Sequence, residues 1–209
     1  RKFVDDTQFP FFNTQMGKGV LDEASPLYLG TAALSSDDYV HCAIDRADLI
    51  VNIGHDVVEK PPFYMEPDGR TVIHVNYKAA EVDQVYFPPL EVIGDIAGSV
   101  ERLGNRLRGK HPSDPAAYAN VHEDIAAHIR QGSDDGRFPM VPQRIVADVR
   151  AVMGRDDIVA LDNGIYKIWF ARNYIAHEPN TILLDNALAT MGAGLPSAMM
   201  AAMLSPERR

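Results

Sequence analysis

The stretch Ala189-Thr190-Met191-Gly192-Ala193-Gly194-Leu195-Pro196 has the residue types and spacing for ligand chemistry. Gly192 and Gly194 permit a tight turn and close approach of the backbone to a ligand. The run after it, Ser197 to Leu204, is rich in helix formers, so its N-terminal end offers partial positive charge to a polar or anionic group. Met191 is the one bulky side chain among Ala and Gly, and its flexible thioether can wedge a bound cofactor into one shape. The chemistry is holding and shaping, with no acid or base required of the turn. On this stretch alone the plainer reading, a strand-to-helix turn with Met191 as core filler, is favoured.

The elements that position this turn follow from pattern. Thr181-Ile182-Leu183-Leu184 is a short β-branched and aliphatic run that predicts a strand entering it, and Val159-Ala160-Leu161 predicts a second strand ending at Asp162-Asn163-Gly164. Pro142 to Val152 reads as a helix with proline at its start, and Ile168-Trp169-Phe170-Ala171 lies on an aromatic helix. By spacing alone, Asn163-Gly164 is simply a turn before that helix.

Upstream, the apolar runs Leu49 to Gly54, Thr71 to Asn76 and Leu90 to Gly94 end at Gly or Asn and predict central parallel strands covered on both faces. Phe9 to Thr14 predicts a short buried strand, and Arg1 to Thr7 the last turns of a helix with Phe3 and Val4 inward. Ser35 or Ser36 caps a helix carrying Val40, Ala43, Ile44 and Ala47, and Ile96 to Leu107 is a second helix. This alternation implies a doubly wound, mostly parallel α/β sheet. Its ligand crevice falls where Asn13-Thr14, Gly54-His55-Asp56, Asn76-Tyr77 and Gly94-Asp95 lie. No G-x-G-x-x-G follows these strands, which argues against an ordinary NAD-binding domain. Met16-Gly17-Lys18-Gly19 reads as a flexible loop with a solvated lysine, its other reading an anion contact. Arg108 to Pro139, richer in Gly, Pro, Asp and Ser, reads as a linker with one helical patch at Ala116 to Ile129. His122 and His128 in that patch lack metal-ligand spacing and read as solvated.

The 209 residues, 46% hydrophobic, suffice for one large or two small domains. A formal charge of -9 argues against nucleic-acid and membrane-surface roles. The single Cys42 excludes an intrachain disulfide, and with no apolar run of spanning length the expected location is cytoplasmic.

The Met191 turn, together with Val159 to Gly164 and Ile168 to Ala171, resembles the cofactor-binding domain of thiamine-diphosphate-dependent enzymes, with acetolactate synthase the nearest look. That family has a turn of Gly-x-Met-Gly-x-Gly-Leu-Pro type. Phe9 to about Leu107 resembles its middle domain through Met16 to Gly19, Ala47 to Ile50 and Val92 to Asp95. The resemblance implies two incomplete units, Rossmann-like and ThDP-binding: 1–107 as middle domain, 108–139 as linker with a helix, and 140–209 as the first half of the cofactor domain. It implies that Met191 lies beneath a bent cofactor, that backbone groups of Ala189 and Met191 bond its pyrimidine, and that Asn163, Gly164, Ile165 and Tyr166 touch its diphosphate. Ile165-Tyr166 stands where many relatives have Gln-His or Ser-His, replacing an imidazole with a phenol that can donate one hydrogen bond.

The resemblance places the family's Mg2+ motif beyond Arg209, the last residue of this sequence, and its catalytic Glu in a domain that nothing here resembles. No catalytic residue and no metal ligand is therefore assigned, and a fragment inactive by itself is expected. FAD, which the biosynthetic branch binds through an arginine after the central strand, is disfavoured because Gly54-His55-Asp56-Val57-Val58-Glu59-Lys60 has none. The expected parent activity joins two pyruvates with loss of carbon dioxide, in a dimer or tetramer. A 2-keto-acid decarboxylase or another carboligase is the alternative within the superfamily, and a noncatalytic FAD- or nucleotide-binding module is the alternative outside it.

Overall fold

A computed structural model describes residues 1–32, 39–55, 65–110, 114–186 and 188–209. Every strand pair in it is parallel, with helices between some successive strands and irregular segments between others. The first unit opens with helix α1 (Lys2–Thr7) and holds β1 (Phe11–Thr14) beside β2 (Tyr28–Ala32). Helix α2 (Tyr39–Arg46) follows, then β3 (Leu49–Ile53), β4 (Thr71–Asn76) and β5 (Leu90–Ile93), ordered β3-β4-β5 with β4 central. Helix α3 (Ile96–Leu107) returns across β4 and packs on α1, with the Asp95 carboxylate accepting from the Gly98 amide at its start, 2.6 Å. The proposed caps Ser35 and Ser36, and residues 56–60, lie outside the described residues.

Two expectations fail on burial. Strand β5 is exposed at all four positions and β3 at Leu49 and Ile53, so neither is covered on both faces. An apolar run reports what could be buried, while coverage depends on elements from elsewhere in the chain. Strand β1 is mostly half-buried, whereas β2, which the sequence analysis left unassigned, is buried at every position. Gly30 (φ +95°) interrupts the apolar pattern of β2 and hides it from a periodicity reading.

Within the 108–139 segment, helix α4 (Ala119–Arg130) is packed rather than loose: Val121 and Ile125 join Leu29 and Ala43 in one core cluster. His122 is held rather than solvated, its Nδ1 2.8 Å from the Tyr28 carbonyl. A second cluster joins Ala32, Ile44, Ile50, Met65, Val72 and Tyr86.

The second unit contains α5 (Pro142–Val152), β6 (Val159–Ala160), α6 (Tyr166–Asn173), β7 (Ile182–Leu183) and α7 (Gly194–Leu204). Its core is Val146, Leu161, Phe170, Tyr174, Ala176 and Ile182. The two strands pair over two residues each, Val159 with Ile182 and Ala160 with Leu183.

The loop after β1 joins the two units and overturns both readings of Lys18. That side chain is buried, 4% exposed, and its Nζ donates to Glu23 Oε2 (2.8 Å), Thr31 Oγ1 (3.1 Å) and the Ala171 carbonyl (3.0 Å). The Glu23 carboxylate also accepts from Asn13 Nδ2 (2.8 Å) and the amides of Gly19 (3.1 Å) and Ala176 (2.9 Å). All four acceptor sites of the carboxylate are used. Burial lowers the Lys18 ammonium from its ordinary value, and Glu23 opposes that shift. Gly19 (φ +76°) is obligatory here, because an added Cβ would sit 2.2 Å from the Glu178 carbonyl oxygen. At the rim, Arg155 bridges Asp22 (2.9 Å) and Glu178 (3.4 Å), and His177 Nδ1 lies 2.9 Å from Asp22.

Candidate functional site

Both predicted cofactor stretches leave the second unit's short strands at their carboxyl ends, which places them side by side. Asp162, to which the sequence reading gave no role, ties them together. Its Oδ1 accepts from the Asn163 amide (2.6 Å) and from the Gly192 amide (2.7 Å), thirty positions along the chain. These two amides, helped by those of Gly194 and Ala193, hold the carboxyl below the ordinary carboxylate range against the opposing effect of burial.

The positive end of α7 therefore already faces an anion from its own chain. Its donors are directed at Asp162, and a second negative group placed there would meet repulsion. Gly194 is what permits the approach: a Cβ at that position would lie 2.8 Å from the Asp162 nitrogen. The sequence signal was a carboxylate directly after a strand, but its partner is distant in sequence.

Met191 is 81% exposed, which removes the core-filler reading. Ala189 adopts a left-handed conformation (φ +48°), and a Cβ added at Gly192 would meet nothing within 4 Å. The turn thus presents one long apolar side chain and bare backbone to open space. On the neighbouring turn, Ile165 is 75% exposed and Tyr166 39%. Burial raises the Tyr166 phenol above its ordinary value, and the Asp162 charge adds to that. The phenol is thus a hydrogen-bond donor across the physiological range.

These observations fit a cofactor lying over Met191 with its polar end toward Asn163, Gly164, Ile165 and Tyr166: the apolar prop is free and the two turns are held at fixed separation by Asp162. Beneath the turn runs a buried polar line that the sequence reading also missed. Lys167, 7% exposed, donates from Nζ to the Asp185 carbonyl (2.7 Å) and Asn186 Oδ1 (3.0 Å), and Asn186 Nδ2 donates to Gln15 Oε1 (3.1 Å).

The strand ends of the first unit are differently disposed. Asn76 Nδ2 donates to the His55 carbonyl (2.8 Å) and its Oδ1 accepts from the Tyr77 amide (2.8 Å). His74 places Nε2 3.2 Å from the Lys78 carbonyl, an arrangement that puts the proton on Nε2 and leaves Nδ1 to accept from the Tyr86 hydroxyl (3.0 Å), which accepts in turn from Asn52 Nδ2 (2.8 Å). Asn13 is spent on Glu23, and Asp95 on the α3 cap.

Among the described residues no cluster of three His, Cys, Asp or Glu side chains is arranged to hold a metal, and no helix is long and apolar enough to cross a membrane. Arg209, which the sequence reading used only to mark where the Mg2+ motif is expected to follow, has a structural part of its own. Its amide donates to Asp157 Oδ1 (2.8 Å), its carbonyl accepts from the Ile158 amide (2.8 Å), and its guanidinium donates to the Val152 carbonyl. It thereby fastens the segment after α7 to the loop entering β6, and a guanidinium, all donors and always charged, ligates no cation. A shallow recess of about 500 Å³ is lined by Arg155, Asp156, Glu178, Pro179 and Arg208, none of which is a predicted cofactor residue. All five belong to the second unit, and the recess lies apart from the Met191 and Asn163 turns.

Comparison with known proteins agrees with the order of the two units. Residues 1–103 match the description "Thiamine pyrophosphate enzyme, central domain", and residues 162–209 match "Thiamine pyrophosphate enzyme, C-terminal TPP binding domain". The acetolactate synthase of Bacillus subtilis is 27% identical across 100% of this chain and 37% of its own length. The catabolic acetolactate synthase of Raoultella terrigena is 28% identical across 87% of this chain and 33% of its length. The acetolactate synthase isozyme 1 large subunit of Escherichia coli is 24% identical over 100% and 37%. The chain spans about a third of the length of these curated relatives. Two matched descriptions of one enzyme class, in the order of the two α/β units, make this chain a member of the thiamine pyrophosphate enzyme family, acetolactate synthase-like in sequence.

Proposed function

We propose that these residues supply the middle domain and the cofactor-shaping turns of a thiamine-diphosphate enzyme that decarboxylates pyruvate and joins the remaining two carbons to a second pyruvate. The observation that carries the reading is the exposed Met191 on a turn fastened to the Asn163-Gly164 turn through Asp162. Bound thiamine diphosphate would supply the carbanion chemistry that a 2-keto acid needs to lose carbon dioxide. Met191 would hold the cofactor's shape from below, and backbone groups of Ala189 and Met191 would orient its ring edge. Asn163, Gly164, Ile165 and Tyr166 would meet the diphosphate, with Tyr166 donating a hydrogen bond. Mg2+ belongs to this reading as the diphosphate's counter-ion, with ligands outside the residues assigned here.

The same reading leaves FAD out. Asn13, Asn76 and Asp95, at the strand ends of the first unit, are already bonded within the chain. It also includes self-association to a dimer or tetramer, in the cytoplasm. Helix α7 is apolar around its circumference, yet Leu195, Met199, Met200, Met203 and Leu204 are all exposed, a pattern normal for a helix enclosed by further protein. Because the chain corresponds to about a third of its relatives, we assign it a share of the site and no turnover of its own.

The test is product analysis after giving the full-length protein pyruvate, thiamine diphosphate and Mg2+. Acetolactate is expected. Acetaldehyde would move the protein to the decarboxylases, and flavin or nucleotide binding without thiamine diphosphate binding would favour a noncatalytic module.

A further inference from the structure

We propose that Lys167, Asn186 and Gln15 form a positioning relay that fixes the Met191 turn against both α/β units. What the turn binds rests on the function proposed above, while the relay rests on geometry alone. Strand β7 ends at Leu183, so from Asp185 onward no sheet ladder holds the backbone. The turn is secured at its far end by the Gly192 amide on Asp162, 2.7 Å. At its near end it is secured by Lys167, whose Nζ grips the Asp185 carbonyl and Asn186 Oδ1, and by Gln15, whose Oε1 accepts from Asn186 Nδ2.

The energetics of Lys167 mark it as more than surface packing. A buried ammonium is costly unless strongly hydrogen-bonded, and among the described residues no carboxylate lies in ion-pair range of its Nζ. Its hydrogen bonds go to neutral oxygens on the segment that leads to Met191. Bonds to a charged donor contribute more than neutral ones, so the favourable energy that keeps Lys167 buried is concentrated on this loop. Gln15, 4% exposed, lies on the loop that also carries Lys18 and anchors the far end of the relay in the first unit. Movement between the units would be felt at Met191 through Asn186.

The experiment compares the full-length protein with its Lys167→Met, Lys167→Arg and Gln15→Leu variants. Amide hydrogen exchange is read at Leu188 to Gly192, with β4 and α3 as internal references. Binding is followed by a thiamine diphosphate and Mg2+ titration read through intrinsic fluorescence, Trp169 lying two positions from Lys167 on α6. Lys167→Met should speed exchange at Leu188 to Gly192 by about tenfold and weaken cofactor binding by a similar factor, leaving the reference amides unchanged. Lys167→Arg should restore both, since it keeps the donated hydrogen bonds. Gln15→Leu breaks only the outer link and should move both in the same direction by less, and it carries the test should Lys167→Met not fold. Exchange that is unchanged in these variants, or equally faster throughout the chain, would overturn the relay. A parent chain that shows no response to thiamine diphosphate would count against the cofactor reading, and exchange alone would then decide the relay.

Discussion

The Lys18–Glu23 seam and the Met191 turn are opposite solutions to placing an unusual side chain. The seam buries a cation and an anion, with side-chain exposures of 1% and 0%, and gives every oxygen of the carboxylate its full set of donors. The turn leaves a large apolar side chain 81% exposed. A buried ion pair in a fully satisfied network defines how two units meet. An exposed Met on a restrained backbone contributes almost nothing to folding, and in the cofactor reading proposed above its part is to touch a ligand. On the proposed reading, stability and binding are carried by separate residues in one chain, and substitutions should separate them.

The largest effect is expected at the seam. Glu23→Ala leaves the Lys18 ammonium buried without its counter-charge and frees the Asn13, Gly19 and Ala176 donors. Loss of one partner of a buried pair costs about 3–5 kcal/mol, to be read from the urea unfolding midpoint. The double variant Lys18→Met with Glu23→Leu removes both charges and should lose less than Glu23→Ala does. A Glu23→Ala protein with a wild-type midpoint would mean that the units are not held by this pair.

A smaller effect is expected at the seam's rim. Burial by itself would raise the Asp22 carboxyl, but Arg155, the Ala24 amide and His177 outweigh it and bring it down to about 2. The folded value lies below the unfolded one, so the stabilisation is present above pH 3.8 and is lost as pH falls toward about 2. With a quarter of the side chain in solvent, screening reduces the contribution to about 1 kcal/mol. Asp22→Asn should flatten the acid limb of the stability profile over that interval in pH-dependent unfolding. An unchanged acid limb would place its origin elsewhere.

How far the sequence could be read followed from how local each signal was. Helices α3 and α5 were legible to the residue, because their apolar spacing and, in α5, the first-turn proline lie within one element, whereas Asp95, the α3 cap, was read only as a crevice residue. The three parallel strands β3, β4 and β5 were legible for the same reason. Strand β2 was not, since Gly30 interrupts its apolar pattern. The Met191 and Asn163 turns could be singled out as sequence, but Asp162, which joins them, acts across thirty positions, and Lys18 meets Ala171 across 153. Polar residues that act at such a distance carry no periodicity, and a lysine in a glycine-rich loop has the same local signature whether solvated or buried. Arg209 is a further case, since its bonds to Asp157 and Ile158 reach back about fifty positions.

The smallest change in stability is expected where the cofactor reading predicts the largest change in function. Met191 is 81% exposed, so Met191→Ala removes little buried surface and should shift unfolding by no more than about 0.5 kcal/mol. If the turn shapes a cofactor, the same substitution takes away the one bulky group available to do so, Ala189, Gly192 and Ala193 being small. In the full-length protein its turnover should fall by at least about tenfold while the unfolding curve stays in place. Wild-type turnover with an unchanged curve would remove Met191 from the site. Parallel losses of turnover and stability would mean that the turn is structural and that its exposed face is covered by packed protein, so the contrast with the Lys18–Glu23 seam would no longer hold.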